Sequence, residues 1–224
     1  NNKIGTIEFG LSTTQLAFNV AKSLPNNLFD DVILSEMLHA SMTTSFERES
    51  KNTSWWTFEQ TYDDLLDMIT EKTTMVVLPH VSNITGCIFD IAYLSQQIKK
   101  LNKNVIIIVD GVAYLPHRIV DVDGYDVDFY FVSFYKFFGP HIAAVYIKNV
   151  NNLLSINHSF IDDKKLELGT IPNELIYGLL GIDDYIKKVL KITNNVRLSR
   201  HNIKHFYDIV TQIENKLVQH FDDN

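Results

Sequence analysis

Val105-Ile106-Ile107-Ile108-Val109-Asp110-Gly111 runs from five apolar residues straight into a carboxylate and a glycine. Its apolar part is far too short to cross a bilayer. Its β-branched, unbroken character reads as a strand covered on both faces. Comparable runs stand at Asp31–Ser35, Thr74–Pro79, Asp128–Ser133 and Ala143–Ile147. Between them, Thr14–Ser23, Tyr62–Ile69 and Asp90–Leu101 carry apolar residues at helical spacing. Asp90 can cap the last of these, with Ile91, Leu94 and Ile98 facing inward. Strands alternating with helices predict an α/β domain around a mostly parallel sheet flanked by helices.

After Lys148 the texture changes. Asn149–Lys165 is polar and poorly periodic and reads as a loop, followed by helical patterns over Asn173–Lys191 and Leu198–Phe221. No internal repeat is visible. With 224 residues, 46% of them hydrophobic, the chain can bury a sizeable core. Its net charge of −7, with no block of Lys or Arg, argues against a nucleic-acid or acidic-lipid surface. Cys87 is the only cysteine, which points to a reducing compartment, the cytoplasm, and is read as a packed thiol. Nothing at the start resembles a signal peptide, and a start at Asn1 without methionine reads as a missing beginning.

In open α/β sheets, ligand-binding groups gather at the carboxyl ends of strands. His80, Ser82 and Asn83 follow one strand, Asp110 ends another, and Ser133 and Lys136 follow a third. A carboxylate at a buried strand end needs a cation or strong donors, so Asp110 is either a ligand partner or an ordinary cap or core ion pair. Lys136, set among Phe134, Tyr135, Phe137 and Phe138, is either a desolvated nucleophile or a snorkelling surface lysine. Ser12-Thr13-Thr14 opens a helix, where free N–H groups suit a phosphate but also suit simple capping. His39 can stack on a planar ring or sit half-buried, and Asn83 can equally be a turn residue. Trp55-Trp56 reads as packing. No Gly-rich nucleotide motif appears.

Order and spacing join these residues. His80-Val81-Ser82-Asn83-Ile84-Thr85-Gly86, Val109-Asp110-Gly111 and Ser133-Phe134-Tyr135-Lys136 with Gly139-Pro140 resemble the cofactor-binding core of the class V aminotransferase and cysteine desulfurase family. Ser12-Thr13-Thr14-Gln15, Ser35-Glu36-Met37-Leu38-His39 and Leu166-Glu167-Leu168-Gly169-Thr170-Ile171-Pro172-Asn173 resemble its phosphate turn, ring-stacking segment and Gly-Thr-Pro region. The chain departs from the family pattern in having Ala113 where a glutamine is usual and Tyr135 where a histidine is usual, which resembles a desulfurase-like subgroup.

The resemblance implies the large domain of a fold type I enzyme over residues 1–195, with 196–224 as the first helix of a small domain. It implies pyridoxal 5′-phosphate as cofactor and no metal. Lys136 would carry the cofactor as an aldimine and Asp110 would pair with its ring nitrogen. His39 would stack on the ring, and Asn83 would lie at its phenolic edge. Thr13, Thr14, Ser133 and Tyr135 would hold the phosphate. Thr170 would reach the phosphate bound by a second copy, which implies a homodimer. The substrate would be an amino acid, with cysteine desulfuration first, transamination next and a catalytically silent scaffold as the non-enzymatic alternative. The N-terminal arm, the small domain, the persulfide cysteine and the carboxylate-binding arginine would lie outside this chain. Arg48, Arg118, Arg197 and Arg200 all fall outside the family's arginine position, so the piece alone is expected to be a poor catalyst.

Overall fold

The computed structural model describes residues 5–154, Leu166 and 169–223. The chain opens with β1 (Thr6–Gly10), α1 (Thr13–Ser23), β2 (Val32–Ser35), α2 (Ala40–Glu47) and β3 (Thr53–Trp56). It continues through α3 (Tyr62–Asp67), β4 (Met75–Pro79), α4 (Ile91–Leu101), β5 (Ile106–Asp110) and α5 (Val122–Tyr125). β6 (Phe129–Ser133), β7 (Ala143–Ile147), α6 (Asn173–Gly178), α7 (Leu180–Leu190) and α8 (Arg200–Asp222) complete it.

Seven strands form one sheet in the order β1-β7-β6-β5-β4-β2-β3. β3, β2, β4, β5 and β6 are mutually parallel, and β7 runs antiparallel to both β6 and β1. The two-residue period of a strand sends its apolar residues alternately to two cores. Met75, Val77, Ile106 and Ile108 meet Leu16, Val20, Met42 and Phe46 on one face. Val76, Leu78, Ile107 and Val109 meet Leu65, Ile91, Leu94 and Ile98 on the other. That double coverage explains why β4, and β5 as far as Val109, are apolar throughout. A third cluster, Phe137, Ile182, Ile186, Phe206 and Tyr207, packs α7 and α8 against the turn that follows β6.

Local chemistry sets the helix starts. Ser12 Oγ accepts from Gln15 N–H at 3.1 Å, so α1 begins at Thr13. Asp90 caps α4 by accepting from Tyr93 N–H at 2.9 Å. The expected Tyr62–Ile69 helix ends at Asp67, and the Asn173–Lys191 pattern divides at Leu179. The expected loop Asn149–Lys165 begins with a 3-10 turn at Val150–Asn152, and its residues 155–165 lie outside the described ones.

Four elements, β1, β3, α2 and the single-turn α5, are absent from the sequence reading. β1 and β3 are the two edges of the sheet, where one side faces solvent and apolar continuity is lost. α2 is rich in Ser and Thr, poor helix formers, and is held by Met42 and Phe46 one turn apart in the core. Trp56 packs in the core while Trp55 is partly exposed. Cys87 is exposed rather than packed, because it sits in a projecting turn before α4.

Phe131, fully buried in the middle of the sheet, and Phe221, 83% exposed on α8, set the scale of this packing. Phe131→Ala should cost about 3–5 kcal/mol of unfolding free energy. Phe221→Ala should stay within about 0.5 kcal/mol. Urea denaturation of the two variants checks the ranking; equal losses would contradict the assignment of the core.

Candidate active site

The carboxyl ends of β4, β5 and β6 converge, and a cavity of about 150 Å³ opens there. Asp110, the last residue of β5, lies at its floor and is only 7% exposed. Its Oδ1 accepts from Val112 N–H at 3.0 Å, and it makes no ion pair among the described residues. Burial pushes the Asp110 carboxyl above its ordinary range; the Val112 N–H and the charges of His39 and Lys136 only partly oppose this. A carboxylate in this state calls for a cationic partner.

Gly111 follows because nothing larger fits: a Cβ there would stand 2.1 Å from the Tyr130 ring. Tyr130 is fixed in turn by His80, whose Nδ1 lies 2.7 Å from the tyrosine hydroxyl. The His80 ring also stacks on Tyr114, with centroids 3.5 Å apart and planes 7° off parallel. His80 is 3% exposed, and burial lowers its pKa to about 3, so it stays neutral. Thus His80, grouped with ligand-binding residues by its place after β4, packs beneath the site and does not line the cavity.

One wall of the cavity is the start of α1, with Ser12, Thr13 and Thr14. The first-turn N–H groups of Thr13 and Thr14 cannot be satisfied inside the helix and form an anion-binding end. Thr13 Oγ1 reaches Val132 O at 3.4 Å, which ties this wall to β6. Ser133, buried at the end of β6, lies beside it. Tyr135 lines the rim, its ring stacked on His141 with centroids 4.8 Å apart.

His39 caps α2 from the opposite wall. Its Nδ1 accepts from Ser41 N–H at 3.2 Å, which leaves the ring proton on Nε2 in the neutral form. Asn83 enters from a turn closed by Gly86 N–H donating to Ser82 O at 2.9 Å, with Gly86 at φ 72° where a side chain would be strained.

Lys136 lines the mouth of the cavity and is the only lysine to do so among the described residues. It is exposed, in line with the surface-lysine alternative and not the desolvated one, because Phe137 turns into the third core cluster and Lys136 stays outside it. Thr170 does not line this cavity; it is exposed on the far side of α1, near Gln15 and Asn19. Ser41, Val112 and His141 also line the cavity and were not singled out. Only the two-residue step from His39 to Ser41 at a helix start carried a readable signal. Among the described residues no group of His, Cys, Asp and Glu is arranged to hold a metal ion. No described helix is long and apolar enough to cross a membrane.

The α/β sheet with one reversed strand has the fold type I architecture. Residues 6–220 match the family described as aminotransferase class-V, and the chain belongs to it. The aminotransferase-like protein FGM3 of Gibberella zeae is 31% identical, over 97% of this chain and 54% of its own. The cysteine desulfurase-like protein ustD of Aspergillus flavus is 34% identical, over 81% of this chain and 46% of its own. A nonribosomal peptide synthetase-like enzyme, fsqF of Aspergillus fumigatus, is 34% identical over 82% of this chain but only 14% of its own. The chain thus spans about half, or less, of these curated relatives. The fold matches a cysteine desulfurase from Thermococcus onnurineus at a TM-score of 0.69 and 23% identity, over 82% of this chain and 52% of that one.

The upward shift of Asp110 has a stability consequence. Its folded-state pKa lies above the unfolded value of about 3.9. The contribution it makes to stability is therefore fully present below that unfolded value and is lost as pH rises through the folded one. Asp110→Asn in the cofactor-free protein should raise the melting temperature at pH 7, with a gap that narrows toward pH 4. Thermal melts across that range test this; a destabilised variant at pH 7 would mean that Asp110 already has a cationic partner.

Proposed function

We propose that this chain is the cofactor-binding part of a pyridoxal-phosphate enzyme acting on an amino acid, with cysteine desulfuration as the reaction. The observation that carries the reading is the buried Asp110 carboxylate, unpaired at the floor of a cavity whose mouth holds Lys136. When bound, pyridoxal phosphate supplies an electron sink beside the substrate α-carbon.

The residues present fit that group. Asp110 would hold a proton on the ring nitrogen through an ion pair in a site shielded from water. His39, with its proton on Nε2, would cover one face of the ring. The α1 N–H groups, Thr13, Thr14 and Ser133 would hold the phosphate, with the Tyr135 hydroxyl at the rim. Asn83 would donate to the phenolic oxygen. Lys136 Nζ would anchor the cofactor covalently, then carry a proton to and from the α-carbon. Its exposure leaves it free to swing between the two tasks.

The working form in this reading is a homodimer in the cytoplasm. Thr170 lies outside its own cavity, and Leu11 and Phe18 of the adjoining segment are about half exposed, 51% and 46%. That combination suits a second copy packed over this face, with Thr170 reaching the neighbouring phosphate.

Lys99 and Lys148 make good controls, since Lys99 pairs with Asp128 at 2.9 Å and Lys148 pairs with Asp126. After loading with pyridoxal phosphate and borohydride reduction, mass spectrometry should map the adduct to Lys136. Lys136→Ala should lose it, while Lys99→Ala and Lys148→Ala keep it. An adduct on any other lysine would refute this reading.

A further inference from the structure

The parallel strands turn their carboxyl ends to the cavity, but β7 is reversed and turns its amino end there. Ala143, its first residue, is in register with both Gly10 of β1 and Ser133 of β6. Residues 11–13, 134–136 and 140–142 therefore leave the sheet side by side. The pairing continues one step past the strands, where Phe134 N–H donates to Ile142 O at 2.9 Å. His141, the next residue back along the chain, is delivered to the side of the cavity where α1 begins.

His141 lines the cavity and stacks on Tyr135, with ring centroids 4.8 Å apart and planes 1° off parallel. An offset parallel pair at this separation is a favoured arrangement of aromatic rings and restrains both. The loop that carries the two rings is itself braced. Gly139 N–H donates to Phe134 O at 2.9 Å, and Ile142 N–H donates to Pro140 O at 2.8 Å. Neither ring nitrogen of His141 nor the Tyr135 hydroxyl has a hydrogen-bond partner among the described residues.

The basic side chains that line the cavity, among the described residues, are His39, Lys136 and His141. In the cofactor reading Lys136 is taken up by the covalent anchor. His39, whose Nδ1 is engaged by Ser41 N–H, covers the ring. Arg118 pairs with Glu214 at 2.8 Å and does not line the cavity. His141 alone is left to meet the phosphate.

We propose that His141 is a further phosphate-binding residue of this site, its imidazole N–H directed at the 5′-phosphate and its orientation set by the Tyr135 ring. The inference rests on the cofactor reading above. It gives the change at position 135 a physical sense: tyrosine stands where a histidine is usual, and an imidazole arrives against that tyrosine from the neighbouring strand. The α1 N–H groups and the hydroxyls of Thr13, Thr14 and Ser133 are neutral donors. A histidine adds one that can carry charge, and charge-assisted hydrogen bonds are roughly twice as strong. His141 thereby selects the phosphorylated cofactor over its unphosphorylated form, and Tyr135 is its positioning residue.

The test measures the affinities of pyridoxal 5′-phosphate and of pyridoxal, which carries a hydroxyl in place of the phosphate, by aldimine absorbance. His141→Ala should weaken pyridoxal phosphate about 10- to 100-fold, the loss of a hydrogen bond to a charged group, and leave pyridoxal unchanged. His141→Gln, which keeps an N–H donor without the charge, should fall between, and it carries the test if the alanine variant fails to fold. In a Tyr135→Leu background, which lacks the stack, His141→Ala should cost less than in the unsubstituted protein. In a Tyr135→Phe background, which keeps the stack, it should cost the same. Equal weakening of both ligands by His141→Ala would make His141 a wall of the pocket and overturn the proposal, as would no loss of either. Equal cost in all three backgrounds would overturn the positioning by Tyr135. The borohydride adduct at Lys136 separates this proposal from the reading beneath it. With the adduct present in the unsubstituted protein, these outcomes judge His141 alone; its absence would refute the cofactor reading and this proposal with it.

Discussion

A carboxylate held out of water at the end of a central strand is the constraint around which this molecule is arranged. Asp110 can stand there only because β5 is paired on both sides and covered on both faces, so that its backbone is satisfied and its side chain has one direction to point. The neighbours answer to it. Gly111 yields space to Tyr130, Tyr130 is pinned by His80, and His80 is stacked on Tyr114. The result is a rigid aromatic floor under a charge that costs free energy whenever it lacks a partner. A site of this kind stores its affinity for a cation in advance and gives up stability to do so.

The walls are supplied by separate pieces of chain that share little sequence proximity. α1 offers backbone donors, α2 a histidine oriented by its own cap, and the turn after β6 a lysine turned outward by the burial of Phe137. The third cluster does more than fill space. By seating α8 against Phe137 and the segment around Leu115, it braces the turn that carries Lys136. The buried carboxylate and the lysine at the mouth of its cavity are therefore held by different cores.

How much of this could be read from residues alone depended on burial. β4, β5 and β6 are central, and their unbroken apolar runs announced them, as did the carboxyl-end placement of Asp110 and Lys136. β1 and β3 were silent because an edge strand needs to be apolar on only part of its surface. The side of the site made by Thr13, His39 and Asn83 was legible only through the ordered family motifs, since each residue alone is an ordinary cap or turn. The sequence around Lys136 fits both a desolvated and a surface lysine, because aromatic neighbours in sequence need not be neighbours in space; Phe137 buries itself elsewhere. The pairing of Arg118 with Glu214 had no local signal at all, as it joins residues 96 positions apart.

The reversal of β7 gives the sheet a particular order of assembly. β1, the earliest strand, finds its only partner in β7, with Gly10 in register with Ala143. Ser133 lies against that same Ala143. The contact from Thr13 to Val132 thus closes a loop of 119 residues. Such long-range closure is costly before other contacts reward it and falls late in folding. On the ribosome, the first helix must wait for the last strand before its amino end faces Ser133. A phosphate held there, as proposed, would bind only to molecules whose whole sheet has formed, and so would favour finished molecules over partly folded ones.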